Sequence, residues 1–195
     1  MDDGINELKA TFTYSDGDIF EVPSDMLVNP VNCKGVSGKG LALEFKKRFP
    51  VSQKKYEEVC RKQVYMTDAT GRRKKVAAFR PGDILHFIDI DKTQITKPID
   101  QMEPEEIDEL LTHRHHLVYL PTKNHWKNPS KYEYARSGIK ALADLLGQEG
   151  LEMVNTVSIP ALGCGLGSLE WGEVEKIIRE ELSHVEKNFI LFPPK

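Results

Sequence analysis

Two glycine-rich segments have the residue types expected of an anion-binding site. The first is residues 33–40, Cys-Lys-Gly-Val-Ser-Gly-Lys-Gly, and the second is residues 163–167, Gly-Cys-Gly-Leu-Gly. Each lies between an apolar segment typical of a strand and a helical pattern, so we expect each to open a helix. Glycine lets the backbone approach a ligand closely, and free amides at a helix N-terminus favour phosphate oxygens. Neither segment is a P-loop or a GxGxxG motif. Because two such loops occur in one domain, the pair indicates a diphosphate held between them.

Lys123 comes directly after an apolar segment, in the run Leu-Pro-Thr-Lys-Asn-His-Trp. A side chain at the carboxyl end of a strand points toward the crevice in which α/β proteins bind ligands. A partly buried lysine there has a lowered pKa and can act as a nucleophile or base, whereas a solvated loop lysine is the alternative. His125 could serve as a general acid or base. Trp126 could be a stacking platform or part of the core.

Polar residues also lie near the ends of two other predicted strands. Asp18 follows the first strand, where its carboxylate could accept the exocyclic amine of adenine or hold a turn. Asn29 and Asn32 lie at the end of an apolar strand, although asparagine is depleted in strands. They could bond ribose hydroxyls or fasten the loop that follows.

The pattern along the chain predicts the elements that must position these residues. Short apolar segments alternate with helical patterns, which is typical of an α/β sheet covered on both faces. We predict a single domain, residues 1–195, in which 66–78 and 89–115 fit the alternation poorly and are insertions. The first insertion carries the basic run Arg72-Arg73-Lys74-Lys75, which is either a solvated loop or a nucleic-acid contact. The predicted strands are 9–14, 26–31, 84–88, 116–120, 154–161 and 188–192. The predicted helices are 39–49, 52–64, 104–111, 169–182 and one that begins at a Ser130 capping box and ends at Gly147 or Gly150.

Composition narrows the class of protein. The 195 residues carry 27 Lys and Arg against 30 Asp and Glu, and this net charge of -3 argues against a protein that coats nucleic acid. No segment has the roughly 18 consecutive apolar residues of a membrane helix. The start, Met1-Asp2-Asp3-Gly4, has no apolar stretch typical of a secretory signal, and the three cysteines lack CxxC spacing. We therefore expect a cytoplasmic protein without a membrane partner. The six histidines show no metal-ligand spacing, so no metal or other cofactor is expected.

Taken together, these residues resemble the macrodomain family, whose members have an ADP-ribose-binding three-layer α/β/α fold with a central mixed sheet. Gly17-Asp18-Ile19, Asn29-Pro30-Val31-Asn32 and the two glycine-rich loops fall in that family's order, from about residue 11 to residue 192 outside the insertions. Residues 32–50, 120–126 and 159–171 are most similar to the DarG branch, the antitoxin macrodomains that remove ADP-ribose from DNA bases. The terminal ADP-ribose glycohydrolase is related. That enzyme has an aspartate where this chain has Gly167, and the DarG branch tends to have glycine there.

The resemblance implies a role for each site residue. Lys123 is the catalytic residue near the anomeric carbon C1″, either attacking it or giving electrostatic support to a ring-opened sugar. Asp18 and the Ile19 amide bind adenine, Phe192 packs on it, and Asn32 binds the distal ribose. The diphosphate is cradled by the two loops, and His125 and Trp126 complete the substrate site. The loop residues are Gly38, Lys39, Gly40, Leu41, Gly163, Cys164, Gly165, Leu166 and Gly167.

The implied activity is an ADP-ribosyl glycohydrolase that removes ADP-ribose from a nucleobase of DNA. Its substrate partner would be ADP-ribosylated DNA, and its protein partner an ADP-ribosyltransferase toxin. Two alternatives stay open: a hydrolase of protein-linked ADP-ribose esters or of O-acetyl-ADP-ribose, and a non-catalytic ADP-ribose reader.

Overall fold

The computed structural model describes residues 9–67 and 69–195. The segment Met1-Asp2-Asp3-Gly4, which has no apolar stretch typical of a secretory signal, lies outside these residues, as does Asp68 of the first insertion. Eight strands and five α-helices are described. The strands are β1 (Thr11–Tyr14), β2 (Met26–Asn32), β3 (Gln63–Thr67), β4 (Arg73–Ala77), β5 (Leu85–Ile90), β6 (Arg114–Lys123), β7 (Thr156–Pro160) and β8 (Asn188–Phe192). The helices are α1 (Gly40–Arg48), α2 (Pro50–Arg61), α3 (Pro104–Thr112), α4 (Tyr132–Leu146) and α5 (Trp171–Leu182).

The main sheet has six strands in the order β1-β8-β7-β2-β6-β5. Five of them are parallel, and β5 runs antiparallel to β6. The carboxyl ends of β1, β8, β7, β2 and β6 therefore meet along one edge of the sheet. Asp18 and the two glycine-rich loops follow these ends, Asn32 and Lys123 are the last residues of β2 and β6, and Asn29 lies within β2.

Alternation along the central strands fills a core on each face of the sheet. Met26 and Val28 of β2 face the side on which α4 and α5 pack. Leu27 and Val31 face the other side, where α1 and α2 contribute Phe45 and Tyr56. Helices on both faces of a mixed sheet confirm the expected three-layer α/β/α architecture.

The two insertions contain regular structure, of which the sequence predicted only the acidic helix. β3 and β4 pair in antiparallel register as a two-stranded hairpin outside the main sheet, and the helix predicted to reach residue 64 ends at Arg61. β5 extends to Ile90 and pairs with the start of β6. The second insertion is therefore the connection between these two strands, and its predicted acidic helix is α3. Within the described residues, no helix is both long enough and apolar enough to cross a bilayer.

The predicted capping box at Ser130 is wrong. The residue at the N-cap of α4 is Lys131, and no side chain caps this helix. The Ser130 hydroxyl donates instead to Thr122 Oγ1 at 3.1 Å. The capping rule predicted that this hydroxyl would bond an amide of the helix, but its partner is Thr122, eight residues earlier in the sequence.

Candidate active site

A cleft of about 960 Å³ opens along the carboxyl edge of the sheet. This volume lies within the range of cofactor and small-ligand sites in proteins, which is roughly 300–1,000 Å³. Fourteen of the sixteen site residues expected from the sequence line it: Asp18, Ile19, Asn32, Gly38, Lys39, Gly40, Leu41, Lys123, Trp126, Gly163, Gly165, Leu166, Gly167 and Phe192. Cys164 and His125 are not among the lining residues.

The first glycine-rich loop presents the start of α1 to the cleft. Lys39 is the N-cap of this helix, and no side chain caps it. The amides of Gly40, Leu41 and Ala42 have no carbonyl partner within the helix, because the first turn of any helix lacks acceptors. The three residues line the cleft, and the first turn contains no acidic side chain. This wall of the cleft is therefore suited to an anion.

The second loop offers amides from a turn, not from a helix N-terminus. The expectation that it opens a helix is wrong, because α5 begins at Trp171 with Glu170 as its N-cap. Within the loop, the Cys164 amide donates to Ala161 O at 3.1 Å, and Leu169 N donates to Gly163 O at 3.0 Å. Among the described residues, no acceptor is found for the amides of Gly165, Leu166 and Gly167. These three residues line the cleft with their amides available to a ligand.

Ser130 explains why the second loop needs glycine. A Cβ on Gly167 would lie 2.1 Å from Ser130 Oγ and 2.4 Å from Gly163 O, and one on Gly163 would lie 2.8 Å from Ser130 Cβ. Gly163 also has a φ of 73°. Ser130 N donates to Gly167 O at 3.0 Å, which holds the loop against the start of α4. No side chain fits at Gly167, so an aspartate-dependent step at this position is not available to the chain.

The two loops face each other across the cleft. Leu166 Cδ1 lies 4.0 Å from the position that a Cβ on Gly40 would occupy. The Leu166 side chain is 72% exposed, so it extends over the cleft without belonging to the core. Residues whose amides have no partner in the protein therefore line the cleft on both sides, which suits a diphosphate.

Lys123 ends β6 beside these loops. Its Nζ donates to Leu166 O at 3.0 Å, so the ammonium group joins the end of β6 to the second loop. Burial lowers the pKa of Lys123 below the usual value for lysine. The only acidic side chain lining this cleft, in the part of the chain described, is Asp18. No carboxylate in the cleft therefore neutralises Lys123 at close range.

Asp18, Ile19 and Phe192 form the opposite end of the cleft, below β1 and β8. One Asp18 carboxylate oxygen accepts from Phe20 N at 3.0 Å, so this side chain holds the turn that follows β1, one of its two expected roles. Ile19 and Phe192 are buried side chains at the base of the cleft. This end is apolar with one carboxylate, whereas the end beside Lys123 is polar and cationic.

Asn29 and Asn32 differ in their partners. The Asn32 carboxamide fastens the first loop, because Oδ1 accepts from Lys34 N at 2.9 Å and Nδ2 donates to Val36 O at 2.7 Å. Asn32 also lines the cleft. Asn29 is fully buried beneath the cleft floor, and neither atom of its amide has a partner among the described residues.

The two predicted residues outside the cleft have other contacts. The His125 ring stacks on Trp126 with centroids 5.6 Å apart, and its Nδ1 accepts from Lys127 N at 3.2 Å. Trp126 is 49% exposed, so it belongs to the rim of the cleft and not to the core. Cys164 packs against the core under α4 and α5, and burial raises the pKa of its thiol to about 11.

Sequence reasoning missed Ser130 and Thr122 as residues of the cleft. Both are buried and line it, and both support the second loop or its neighbour. Their spacing of eight residues in sequence matches no known motif, because the two side chains are brought together by the turn that joins β6 to α4. Among the residues described, no cluster of three or more His, Cys, Asp or Glu side chains is arranged to hold a metal ion.

Comparison with known proteins places the chain beside two DNA ADP-ribosyl glycohydrolases, although no family model matches it. A "DNA ADP-ribosyl glycohydrolase" of Mycobacterium tuberculosis is 30% identical over 183 residues, which is 93% of this chain and 42% of that protein. The solved macrodomain of M. tuberculosis DarG superposes with a TM-score of 0.69 at 28% identity, covering 95% of this chain and 99% of that one.

The second similar protein comes from Thermosipho africanus. It is described as a "DNA ADP-ribosyl transferase-DNA ADP-ribosyl glycohydrolase fusion protein" and is 29% identical over 92% of this chain and 42% of its own length. The solved structure of T. africanus DarTG, in complex with ADP-ribose, superposes with a TM-score of 0.69 at 27% identity, over 94% of this chain and 42% of that one. The chain spans about two fifths of the length of both curated relatives.

Proposed function

The chain belongs to the macrodomain family, and we propose that it is an ADP-ribosyl glycohydrolase that removes ADP-ribose from a base of DNA. One observation carries the proposal. Lys123 Nζ lies at one end of a cleft in which uncapped α1 amides face the amides of Gly165, Leu166 and Gly167. The names of the two relatives support the reaction and the substrate class, and the T. africanus structure supports ADP-ribose as the ligand.

The substrate would lie along the cleft in one direction. Adenine would occupy the apolar end with Asp18 and the Ile19 amide, and the diphosphate would lie between the two loops. The distal ribose would then reach Lys123, with Asn32 beneath it. A ligand held at both ends by a mostly rigid backbone presents its anomeric carbon to one side chain, and such positioning supplies much of a rate enhancement.

Two chemical roles for Lys123 fit this placement. In the first, the neutral amine attacks C1″ and the bond from C1″ to the base nitrogen breaks. The proton that the lysine nitrogen then loses passes, through water, to the base nitrogen. A second water then releases ADP-ribose from the lysyl adduct. In the second, the ammonium stabilises charge on a ring-opened sugar without forming a bond. A lowered pKa favours the first role, because it raises the fraction of neutral amine at a given pH.

A matched set of variants tests the proposal. We expect Lys123→Ala to keep ADP-ribose binding by calorimetry within a few fold and to lose release of ADP-ribose from a modified thymidine oligonucleotide. Lys123→Arg keeps the charge but not the nucleophile, so it separates the two roles. Lys140→Ala, at an exposed position on α4, is the control and should retain full turnover. Undiminished turnover by Lys123→Ala would refute the catalytic assignment.

The substrate is tested with a parallel set of ligands. ADP-ribosylated thymidine and guanosine oligonucleotides are compared with an ADP-ribosylated glutamate peptide and O-acetyl-ADP-ribose. Turnover of the DNA substrates alone supports the proposal, and faster turnover of the peptide or the acetyl ester would replace it with the ester hydrolase. Binding of ADP-ribose without turnover of any substrate would leave the reader function.

We further propose that the chain counteracts an ADP-ribosyltransferase toxin in the cytoplasm. The joined transferase and glycohydrolase of T. africanus supports this partnership. Co-expression with a DNA-modifying ADP-ribosyltransferase tests it: the parent chain should restore growth, and the Lys123→Ala variant should not.

A further inference from the structure

We propose that the β3–β4 hairpin is a binding arm for the DNA strand to which the ADP-ribose is attached. This inference rests on the proposed function and adds to it a contact surface away from the cleft. The partner it takes is a single polynucleotide strand, held by cations along its phosphates and by an exposed aromatic ring. Three independent features of the hairpin carry the inference: its position, its charge and its exposed faces.

The hairpin begins and ends at the same edge of the sheet as the cleft. α2 runs parallel to β2 and β6, because Ser52 Oγ at its start donates to Asp89 beside the amino end of β6, whereas Tyr56 Oη donates to Asn32 O at the carboxyl end of β2. At the end of α2, Cys60 Cβ lies 3.3 Å from the position of a Cβ on Gly35, in the first cleft loop. The chain re-enters the body where Ala78 N donates to Lys62 O at 3.0 Å.

The order of the strands places the hairpin beside Lys123 and away from the adenine end. The hairpin precedes β5, which is the edge strand and neighbours β6, whose last residue is Lys123. Asp18 and Phe192 follow or end β1 and β8 at the other side of the sheet. A polymer attached at C1″ therefore leaves the cleft toward the hairpin side.

The hairpin region is strongly basic in an acidic chain. Seven of the twenty residues 61–80 are Lys or Arg and one is acidic, whereas the whole chain has a net charge of -3. Arg73, Lys74 and Lys75 are exposed, and within the described residues none of the three makes an ion pair with a carboxylate. Cations not neutralised within the protein are available to phosphates.

One face of the hairpin combines two of these cations, Arg73 and Lys75, with an aromatic ring, and Lys74 lies on the other face. Tyr65 pairs with Lys75 and Thr67 with Arg73 in the antiparallel register, so the four side chains share a face. The Arg73 guanidinium lies 4.9 Å from the centre of the Tyr65 ring. Tyr65 is 63% exposed, and no residue of β3 is buried. A basic strand with an exposed aromatic ring is the combination that binds single strands through phosphates and base stacking.

The dimensions of the arm fit a strand. Five residues of a β-strand span about 17 Å, so the arm is long enough to contact more than one nucleotide of a strand. Trp126, three residues after Lys123, lines the cleft and is half exposed. A strand leaving the cleft would thus meet one aromatic ring at the rim and a second on the arm.

The test compares a long and a short substrate. The hairpin variant is Arg73→Gln/Lys74→Gln/Lys75→Gln, and the control is Lys92→Gln/Lys140→Gln/Lys176→Gln, which removes the same charge from exposed positions elsewhere. The long substrate is a twelve-residue single-stranded DNA with one ADP-ribosylated thymidine, and the short one is ADP-ribosyl-thymidine itself. Unchanged circular dichroism and thermal midpoint confirm that both variants are folded.

We expect the hairpin variant to lose at least tenfold in kcat/KM on the long substrate and nothing on the short one. The slope of log kcat/KM against log salt should become shallower by about 1.4, since Arg73 and Lys75 share the aromatic face and each phosphate contact to a single strand contributes about 0.7. The control should match the parent on both. Equal kcat/KM of the parent and the hairpin variant on the long substrate, with equal salt slopes, would overturn the inference. So would an equal loss on an ADP-ribosylated peptide, which would indicate a protein-binding surface.

Binding of an unmodified strand separates this inference from the proposed function. Fluorescence anisotropy with an unmodified twelve-residue DNA requires no turnover, so it reports on the arm even if the parent cleaves neither substrate. We expect the dissociation constant to rise at least fivefold for the hairpin variant and for Tyr65→Leu. The salt dependence should change only for the charge variant. Parental affinity in both variants would refute the arm.

Discussion

Gly167 tests whether the second loop depends on the space left by Ser130. A Cβ at this position would lie 2.1 Å from Ser130 Oγ, 2.4 Å from Gly163 O and 2.7 Å from Ser130 Cβ, where ordinary contacts are 3.4 Å or more. The backbone oxygen cannot rotate away, so Gly167→Ala must move the loop by about 1 Å. Overpacking of this kind typically costs about 1–3 kcal/mol, and each kilocalorie lowers the thermal midpoint of a chain of this size by about 2–4 °C.

Ligand binding should respond to the same displacement. The loop amides of Gly165, Leu166 and Gly167 line the cleft, and a hydrogen bond to a charged group contributes about 1.5–3 kcal/mol. Loss of one such bond weakens the affinity for ADP-ribose by about tenfold or more, since 1.4 kcal/mol is a factor of ten. Calorimetry with ADP-ribose and a thermal melt of the same sample measure both effects.

Two further variants make this prediction strict. Gly165→Ala lies in the same loop, but a Cβ there meets nothing within 4 Å, so its thermal midpoint should equal that of the parent. Combining Gly167→Ala with Ser130→Gly removes two of the three close contacts, and the combined loss in stability should be smaller than the sum of the separate losses. Parental stability and affinity in Gly167→Ala would refute the reasoning.

Two predictions concern the body of the fold. Gly138→Ala in α4 should lower the free energy of unfolding in urea by about 1–3 kcal/mol, because its Cβ would lie 2.6 Å from Leu120 Cγ. This loss is expected although alanine favours helices. Gly172→Ala in α5 is the control, since a Cβ there meets open space and should not destabilise the chain. Asp91 is largely buried, and although burial raises its pKa, the 2.8 Å bond from Arg48 and the donations from Thr93 hold it below the usual value. The stabilisation by the Asp91 carboxylate is therefore complete above about pH 4 and is lost as pH falls through the lowered pKa. Asp91→Asn should lower the free energy of unfolding by about 1–3 kcal/mol at pH 7, and by progressively less in urea titrations toward pH 3. A difference that stays constant across pH would contradict this.

The sequence predicted best those elements that local patterns determine. β8 has the predicted bounds, Asn188–Phe192, because an apolar run is bounded by polar residues on one side and prolines on the other. α3 was predicted from its acidic first turn and its apolar face, and both are present. The positions of Asp18, Lys123 and the glycine loops at the carboxyl edge follow from parallel strand order, which the alternation of strands and helices implies.

The features that were missed depend on contacts between distant residues. The predicted helix extended to Val64 and the predicted insertion began at Met66. Only the pairing of Val64, Tyr65 and Met66 with Val76, Lys75 and Lys74 makes them a strand. Ser130 matched a local capping rule, but Thr122 provides its hydroxyl partner. In both places the local preference was weak and a tertiary contact decided the outcome.

The site divides binding and chemistry between different parts of the backbone and side chains. Orphan amides of α1 and of the second loop can bond an anion without a charged side chain, provided that glycine keeps the space open. They add to Lys39, Lys123 and Lys195, which line the cleft of a chain whose net charge is -3. Lys123 is then free to have a lowered pKa, because no carboxylate within the described cleft other than the distant Asp18 stabilises its charged form. Arg73, Lys74 and Lys75 lie on the hairpin, outside the cleft, so their charges do not act on Lys123 at close range. The same arrangement leaves them exposed along the path of the attached strand.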